Sequence, residues 1–318
     1  MDFRDRIIIG VVRGGKGYLA PRSLSAGSSI LKSLRDSATV LDIFIDDQGV
    51  WHLAGVPRHQ AEIIDHTDVI ISVIPQATAF RDDMFHSGIF EHVPSVGMGT
   101  ASSALLARIP ALYEALERGG VRTPRSRVID ATRFADRDGR QDLVQEIFRA
   151  FPLPVVLRPV LDEMPDEMPV EPIKDFEGIR RVLDMYGEDV LHEGLVVEEY
   201  ARGKRLTVFI VDGLRGEASY VVPPVPTFIA QGDRTPVSTA ESQTAQGVAR
   251  MAYDALDING FARIDMVLGS GGVIVIGVYT MPDISEWSPI HEALAGVGVA
   301  EKELLTHLVA RALDAKLQ

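Results

Sequence analysis

The chain has 318 residues, of which 46% are hydrophobic, and it carries a formal net charge of −13. This length accommodates two or three domains with their own cores, and no apolar run reaches the roughly 20 residues of a membrane-spanning helix. The negative charge argues against nonspecific nucleic-acid binding, which needs a basic surface, and the absence of cysteine excludes disulfides and thiolate metal sites. We expect a cytoplasmic protein without a signal peptide, which binds neither nucleic acid nor membrane.

The first hundred residues predict an α/β domain, because apolar β-branched segments alternate with helical patterns. Residues 7–12, 41–45 and 69–73 have the composition of buried parallel strands. A glycine pair that begins at Gly14 forms the turn after the first strand, and residues 23–34 have helical spacing.

The residues after position 100 predict two smaller units. The second unit combines helices before Gly119 with short strands and a further helix, at residues 127–129, 155–157 and 175–186. The third unit has strands, a long helix, a hairpin and a closing helix, at residues 195–199, 207–211, 218–222, 240–256, 260–282 and 301–317. We predict three domains, at residues 1–100, 101–194 and 195–318.

The C-terminal hairpin carries the most informative pattern of the chain. Residues 260–265 read Gly-Phe-Ala-Arg-Ile-Asp, and residues 273–282 read Val-Ile-Val-Ile-Gly-Val-Tyr-Thr-Met-Pro. Arg263 and Asp265 are two positions apart on a predicted strand, so their side chains lie on the same face of the sheet. The residues by themselves are best explained as a salt-bridged pair on a half-buried sheet.

This hairpin resembles the metal-binding hairpin of D-alanine–D-alanine ligases, members of the ATP-grasp superfamily, whose two strands read R-x-D and N-E-x-N-T-x-P. Further segments resemble that family in order and spacing, namely Asp-Ile-Phe-Ile-Asp at 42–46, Gly-Val-Trp-His at 49–52, Val-Pro-Ser-Val-Gly at 93–97 and Val-Glu-Glu-Tyr-Ala-Arg-Gly-Lys at 197–204. The resemblance covers essentially the whole chain. It implies an α/β protein with an ATP-grasp fold, preceded by a Rossmann-like (pre-ATP-grasp) N-terminal domain with a parallel sheet.

The resemblance also implies where a metal and an oxyanion would bind. In the family, the Asp, the Glu and the second Asn of the hairpin hold magnesium, which bridges the nucleotide phosphates. Here Arg263 and Asp265 are kept, whereas the Glu falls on Gly277 and the second Asn on Tyr279. We expect Asp265 to be a lone candidate metal ligand and Arg263 to be a vestige of the oxyanion-stabilising arginine.

The positions that would bind the nucleotide are partly kept. The phosphate-binding K-P pair of the family becomes an arginine followed by proline, which keeps the charge but changes the geometry, and a salt-bridged strand-end arginine is an equally open interpretation. Residues 198–200 match the family's hinge, whose backbone contacts adenine. The family's ribose-binding Glu is replaced by Arg205. The candidate nucleotide-binding residues are Arg158, Glu198, Glu199, Tyr200 and Arg205.

The remaining catalytic positions depart from the family. The Glu that orients the first substrate's ammonium group falls on Pro21, and a phosphate-binding lysine falls on Ile109. The serine that meets the second substrate's carboxylate is kept as Ser288. The phosphate-closing glycine–serine loop is replaced by residues 162–172, whose prolines remove amide donors and whose carboxylates repel phosphate.

Because the turns and strands persist while substitutions occur in every catalytic segment, we expect a D-alanine–D-alanine ligase-like protein that does not ligate. Such a protein acts by binding a partner or a small molecule. Since these ligases are typically homodimers, we expect self-association or pairing with a related ligase. This hypothesis requires no cofactor.

Two alternatives remain open at this point. One is an active ATP-dependent carboxylate–amine ligase with a rebuilt site, which requires ATP and Mg²⁺. Its phosphate-binding residues would be Arg158, Lys204, Arg205 and Arg263, and its new metal ligands would be Asp166 or Glu171. The other is a sensor that binds a nucleotide without hydrolysing it.

Overall fold

The computed structural model describes most of the chain. The described residues are 7–17, 19–75, 93–96, 105–134, 137–160, 172–185, 194–227, 236–286 and 288–316. No helix within these ranges is both long and apolar enough to cross a membrane.

The strands are β1 (Ile8–Gly14), β2 (Thr39–Ile45), β3 (Trp51–Leu53), β4 (Val56–Pro57), β5 (Val69–Ser72), β6 (Ser95–Val96), β7 (Ser126–Ile129), β8 (Val155–Pro159), β9 (Leu195–Glu199), β10 (Lys204–Asp212), β11 (Ser219–Val221), β12 (Val225–Pro226), β13 (Phe261–Gly269) and β14 (Gly272–Tyr279). The α-helices are α1 (Ala20–Leu34), α2 (Gln60–Ile64), α3 (Ile109–Arg118), α4 (Arg137–Ala150), α5 (Phe176–Met185), α6 (Thr239–Ala255), α7 (Ile290–Val297) and α8 (Glu301–Lys316). Short 3₁₀ turns cover Ala131–Phe134 and Leu214–Gly216.

The N-terminal sheet has the strand order β4-β3-β2-β1-β5-β6. Its strands β1, β2, β5 and β6 are parallel, and β3 and β4 add an antiparallel hairpin at one edge. The apolar runs of β1 and β5 are buried because a parallel sheet packs on both faces. Helix α1 covers one face and contributes Ala26, Ile30 and Leu34 to the core. The predicted α/β character of this region is confirmed.

The central sheet has the order β7-β9-β8, and its pairs are antiparallel. Helices α4 and α5 supply Leu143, Ile147, Ile179 and Leu183 to the core on one face of this sheet. The sequence grouped residues 195–199 with the C-terminal unit, whereas β9 pairs with β7 and β8. This pairing favours a domain boundary after β9 rather than before it, and the three-domain division itself stays a prediction.

The C-terminal sheet runs β11-β10-β13-β14, with β12 also paired to β10. Helix α6 packs on one face and buries Ala245, Ala249 and Ala252 against the sheet. The closing helix α8 shares a core with β1, β5 and α1, through Leu304 and Leu308. The segment between β14 and α7 is thereby held close to the start of α1.

Gly203 lies where the chain crosses the end of β13, and we predict that it tolerates no side chain. Its φ of +148° is strained for other residues, and a methyl group would collide with the carbonyl oxygen of Leu268. We expect Gly203→Ala to lower the free energy of unfolding by about 2–4 kcal/mol, measured by urea denaturation.

Gly247 provides the matched control, because it lies in the middle of α6 and a methyl group added to it would have no neighbouring atom within 4 Å. Gly247→Ala should raise the free energy of unfolding by about 0.5–1 kcal/mol, as expected for glycine in a helix. Equal effects of the two substitutions would show that the crossing at Gly203 is not tight.

Candidate functional site

The hairpin of β13 and β14 brings together the four positions that the sequence predicts for the metal site. Arg263 lies opposite Tyr279, and Asp265 lies opposite Gly277, in an antiparallel register. Immediately beyond Asp265 the register shifts by one residue. The candidate metal ligand, the candidate oxyanion arginine and the two substituted positions therefore form one cluster.

Arg263 and Asp265 are paired with each other. The arginine donates from Nε to Oδ1 at 3.0 Å and from Nη2 to Oδ2 at 2.8 Å. Both side chains are buried, with exposed fractions of 4% and 8%. The Thr207 hydroxyl donates a further hydrogen bond of 2.7 Å to Oδ1 of Asp265. The predicted salt-bridged pair is confirmed. The guanidinium and the carboxylate form a bidentate ion pair with two hydrogen bonds, which is the strong form of this contact.

The ring of Tyr279 fills the space beside Gly277. A Cβ atom on Gly277 would lie 2.7 Å from the Tyr279 hydroxyl oxygen and 3.0 Å from a ring carbon. The guanidinium carbon of Arg263 lies 5.3 Å from the centre of the same ring, which is within the range of a cation–π contact. The glycine thus makes room for the tyrosine, and the tyrosine stacks on the arginine.

These residues do not fit a magnesium ion. Magnesium prefers an octahedron of oxygen ligands, usually carboxylates, waters and substrate phosphates. Asp265 already accepts hydrogen bonds from Arg263 and Thr207, and the facing positions carry no carboxylate. Within the described ranges, no three His, Cys, Asp or Glu side chains are grouped so that they could hold a metal.

Arg158 lies at the end of β8 and is buried rather than solvated, with 6% of its surface exposed. Its Nη1 lies 3.6 Å from Oε1 of Glu198 in the neighbouring strand β9. Glu198 is itself 3% exposed. Two of the candidate nucleotide-binding side chains are therefore partners of each other, and the salt-bridged alternative for Arg158 is confirmed.

The hinge after β9 uses two of its amide groups within the protein. Glu199 donates from its backbone N–H to the carbonyl of Arg125 at 2.9 Å, and Tyr200 donates to the carbonyl of Pro154 at 3.2 Å. The guanidinium of Arg205 lies over the ring of Tyr200, 5.6 Å from its centre. These two amide groups are not available as donors to an adenine base.

Lys204 points away from this cluster. Its ammonium group donates to Glu241 of α6 at 2.7 Å and to the carbonyl of Pro236 at 3.2 Å. Since side chains alternate along β10, Lys204 faces the helix, whereas Thr207 faces Asp265. The structure does not bring Lys204 together with Arg158 and Arg263.

An ion pair that the sequence did not predict links the first turn of α1 to the segment after β14. Pro21 lies in the first turn of α1, and the next residue, Arg22, donates from Nε to Oδ2 of Asp283 at 2.8 Å. Asp283 is 4% exposed and also accepts from the amide of Ser285 at 2.8 Å. Its partner is 261 positions away in the chain, so no local pattern indicates this contact.

Ser288 is buried just before α7, with 6% of its surface exposed. Its hydroxyl lies 3.4 Å from the amide of Ile290 in the first turn of this helix. Ile109, at the position of the phosphate-binding lysine, has no exposed surface and belongs to the core under α3. Asp166, Glu171 and most of the acidic segment 162–172 lie outside the described residues.

Comparisons with known proteins agree with this arrangement of elements. A family model described as the D-ala D-ala ligase C-terminus matches residues 229–310. A D-alanine–D-alanine ligase of Desulforudis audaxviator is 25% identical, over 95% of this chain and 97% of that protein.

Two solved structures have the same fold. The D-alanine–D-alanine ligase of Coxiella burnetii aligns with a TM-score of 0.75 and 17% identity, over 98% of this chain and 95% of that one. The Bacillus anthracis D-alanine–D-alanine ligase, solved in complex with ATP, aligns with a TM-score of 0.73 and 17% identity, over 98% and 99% of the chains.

The fold is accordingly the ATP-grasp fold, preceded by a Rossmann-like N-terminal domain, as the sequence predicts. By the family model over its C-terminal part and by matches along nearly its full length, the chain is similar to D-alanine–D-alanine ligases.

The ion pair between Lys204 and Glu241 generates a prediction about pH. The hydrogen bond from Lys204, followed by that from the Ser238 backbone, lowers the pKa of Glu241 from 4.5 to about 2. A carboxyl group with a lowered pKa stabilises the folded protein above its unfolded pKa, and this contribution is lost as the pH falls from about 4.5 towards 2. A carboxylate titration by NMR should therefore give Glu241 a midpoint near 2.

Lys204→Met is the matching variant, because it removes the largest cause of the shift and keeps the aliphatic stem. In this variant the midpoint of Glu241 should rise towards 4.5. If the midpoint stays near 2, the capping contacts of Ser238 rather than Lys204 hold the carboxylate.

The burial of Arg263 and Asp265 predicts that the pair is structural. We expect Asp265→Asn to lower the free energy of unfolding by about 3 kcal/mol, because the variant leaves a buried guanidinium without its charged partner. The loss should be the same with and without 10 mM MgCl₂, a concentration on the order used to saturate weak magnesium sites.

Asp184→Asn serves as the control, since Asp184 forms an exposed ion pair with Arg180 at 3.8 Å. This substitution should change stability by less than about 1 kcal/mol. Stabilisation of the unsubstituted protein by magnesium, absent in Asp265→Asn, would instead identify Asp265 as a metal ligand.

Proposed function

We propose that the protein is a non-catalytic member of the D-alanine–D-alanine ligase family, which acts by binding a partner or a small molecule. The proposal concerns activity, whereas the similarity to that family rests on the comparisons above. Its physical basis is that the side chains needed to bind phosphate and metal form ion pairs and hydrogen bonds with other side chains of the protein.

The observation that carries the proposal is the cluster of Arg263, Asp265, Gly277 and Tyr279. Ligation through an acyl phosphate requires magnesium to offset the charge of the triphosphate and an arginine directed at the oxyanion. Here the arginine is held by a carboxylate and a ring, and the ring fills the position of a lost ligand. A nucleotide–metal complex would have to displace a tyrosine and break a buried ion pair.

Two further ion pairs of the candidate site support the same proposal. Arg158 faces Glu198, and Arg22 faces Asp283. Each of these cations has a carboxylate within the protein, so each would have to be freed before it could neutralise a ligand. The alternative of a rebuilt ligase needs Lys204 as well, which is bound to Glu241 on the opposite face of β10.

For the partner, we propose self-association or pairing with a related ligase of the same fold. This part rests on the resemblance to a family of homodimers. Sedimentation of the purified protein, first by itself and then mixed with an active ligase, distinguishes a dimer from a mixed complex and from a monomer.

The proposal predicts no nucleotide-dependent chemistry. Calorimetric titration with ATP, with and without magnesium, should give no detectable heat, and D-amino acids should release no ADP from ATP in a coupled assay. An active D-alanine–D-alanine ligase, assayed in parallel, confirms that the assay works. Substrate-dependent ADP release by this protein would contradict the proposal outright.

A variant that restores the family pattern tests the physical reason. Gly277→Glu combined with Tyr279→Asn removes the ring and returns two oxygen ligands beside Asp265. We expect this double variant to gain magnesium-dependent stabilisation on thermal melting, and we expect the unsubstituted protein to show none. Tyr279→Asn by itself should remove the ring without that gain.

A further inference from the structure

A second buried network joins the central sheet to the C-terminal sheet. Its members are the side chains of Tyr113 in α3, Arg158 in β8 and Glu198 in β9, together with the backbone carbonyl of Ile276 in β14. We call these four groups the inter-sheet clamp. The three side chains are 3–6% exposed, so the clamp lies in the interior between the sheets.

The carbonyl group of the clamp comes from an irregularity in the pairing of β13 and β14. Asp265 pairs with Gly277, but the next residue, Met266, pairs with Val275. Ile276 is therefore an extra residue on β14, which is the arrangement of a β-bulge. A bulge takes one residue out of the regular ladder of hydrogen bonds, and its carbonyl, which is part-buried here, then needs another donor.

One side chain from the central sheet supplies that donor. Arg158 donates from Nη1 to the carbonyl oxygen of Ile276 at 3.0 Å. The Tyr113 hydroxyl lies 3.3 Å from the same oxygen and donates to Oε1 of Glu198 at 3.0 Å. Glu198 in turn lies 3.6 Å from Nη1 of Arg158. The charge of the arginine is thus balanced within the clamp.

The position of the clamp gives it a consequence for ligands. The candidate binding residues come from both sheets. Arg158 and Glu198, candidates for the nucleotide, lie on the central sheet, and Arg205, a candidate for the nucleotide, and Asp265, a candidate for the metal, lie on the C-terminal sheet. A nucleotide held by both sets would lie between the sheets. The clamp spans the space between the sheets with the guanidinium of Arg158, to which a phosphate would otherwise bind.

We propose that the inter-sheet clamp is an autoinhibitory contact, which holds the two sheets together without a ligand. A hydrogen bond from a charged group in a buried site is stronger than a neutral one, and removing one partner of a buried ion pair leaves an uncompensated charge. A ligand would therefore have to replace the contacts to Glu198 and to Ile276 together. This inference stands on the contacts of the clamp and does not depend on whether the protein ligates.

The test is hydrogen–deuterium exchange of the full-length protein, compared with the variants Arg158→Met and Tyr113→Phe. We expect peptides that contain β8 and β14 to exchange about five- to tenfold faster in both variants. Arg158→Met loses the hydrogen bond to Ile276 between the sheets, and Tyr113→Phe loses the hydrogen bond that holds Glu198 beside Arg158. Peptides from the N-terminal sheet should be unchanged. Arg180→Met, which alters a 58% exposed arginine on α5, is the matched control and should leave every peptide unchanged.

Tyr113→Phe keeps the test valid if Arg158→Met fails to fold, because it keeps the ring and the ion pair and removes only the hydroxyl. If folded variants exchange like the unsubstituted protein at β8 and β14, the clamp does not hold the sheets together and the inference is wrong.

ATP with magnesium is the second probe. The inference predicts that Tyr113→Phe, which loosens the clamp and keeps both of its charged groups, does not weaken ATP binding. It is overturned if the unsubstituted protein binds ATP and Arg158→Met abolishes that binding with no change in exchange. ADP release by the unsubstituted protein would contradict the proposed function, but it would leave the clamp standing if the exchange result holds.

Discussion

The structure of the candidate site depends on one constraint, which is that a buried charge must have a partner. Arg263 is held in the middle of the C-terminal sheet with 4% of its side chain exposed, so its charge cannot be solvated by water. Asp265 neutralises it through two parallel hydrogen bonds, Thr207 supports the carboxylate, and Tyr279 covers the guanidinium. Because of this arrangement, Gly277 must lack a side chain.

The same constraint recurs around the site. Arg158 is neutralised by Glu198, and Arg22 by Asp283. In an enzyme that binds triphosphate, cations of this kind are left for the ligand, because the ligand brings the compensating charge. Here the protein supplies the compensation itself, and with a net charge of −13 it offers little long-range attraction to a polyanion. Among the described residues, Arg22, Arg158 and Arg263 each have a carboxylate partner within the protein.

Much of the fold could be predicted from sequence, because it follows from local patterns. Alternating strands and helices predict the N-terminal parallel sheet, and the spacing of Arg263 and Asp265 predicts their common face. The placement of β9 was harder, since a five-residue strand carries no signal of which neighbours it pairs with. Its pairing with β7 and β8 arises from a core shared with α4 and α5, which forms only when distant segments meet.

The sequence by itself determined the similarity to D-alanine–D-alanine ligases, the order of the elements and the absence of a carboxylate or amide side chain at Gly277 and Tyr279. Only the tertiary structure decided what replaced them. The contact of Arg22 with Asp283 spans 261 positions, and the clamp joins β8 to a bulge in β14 that has no distinctive composition. Pairing of buried charges depends on which side chains meet in space, and residue types along the chain do not specify that.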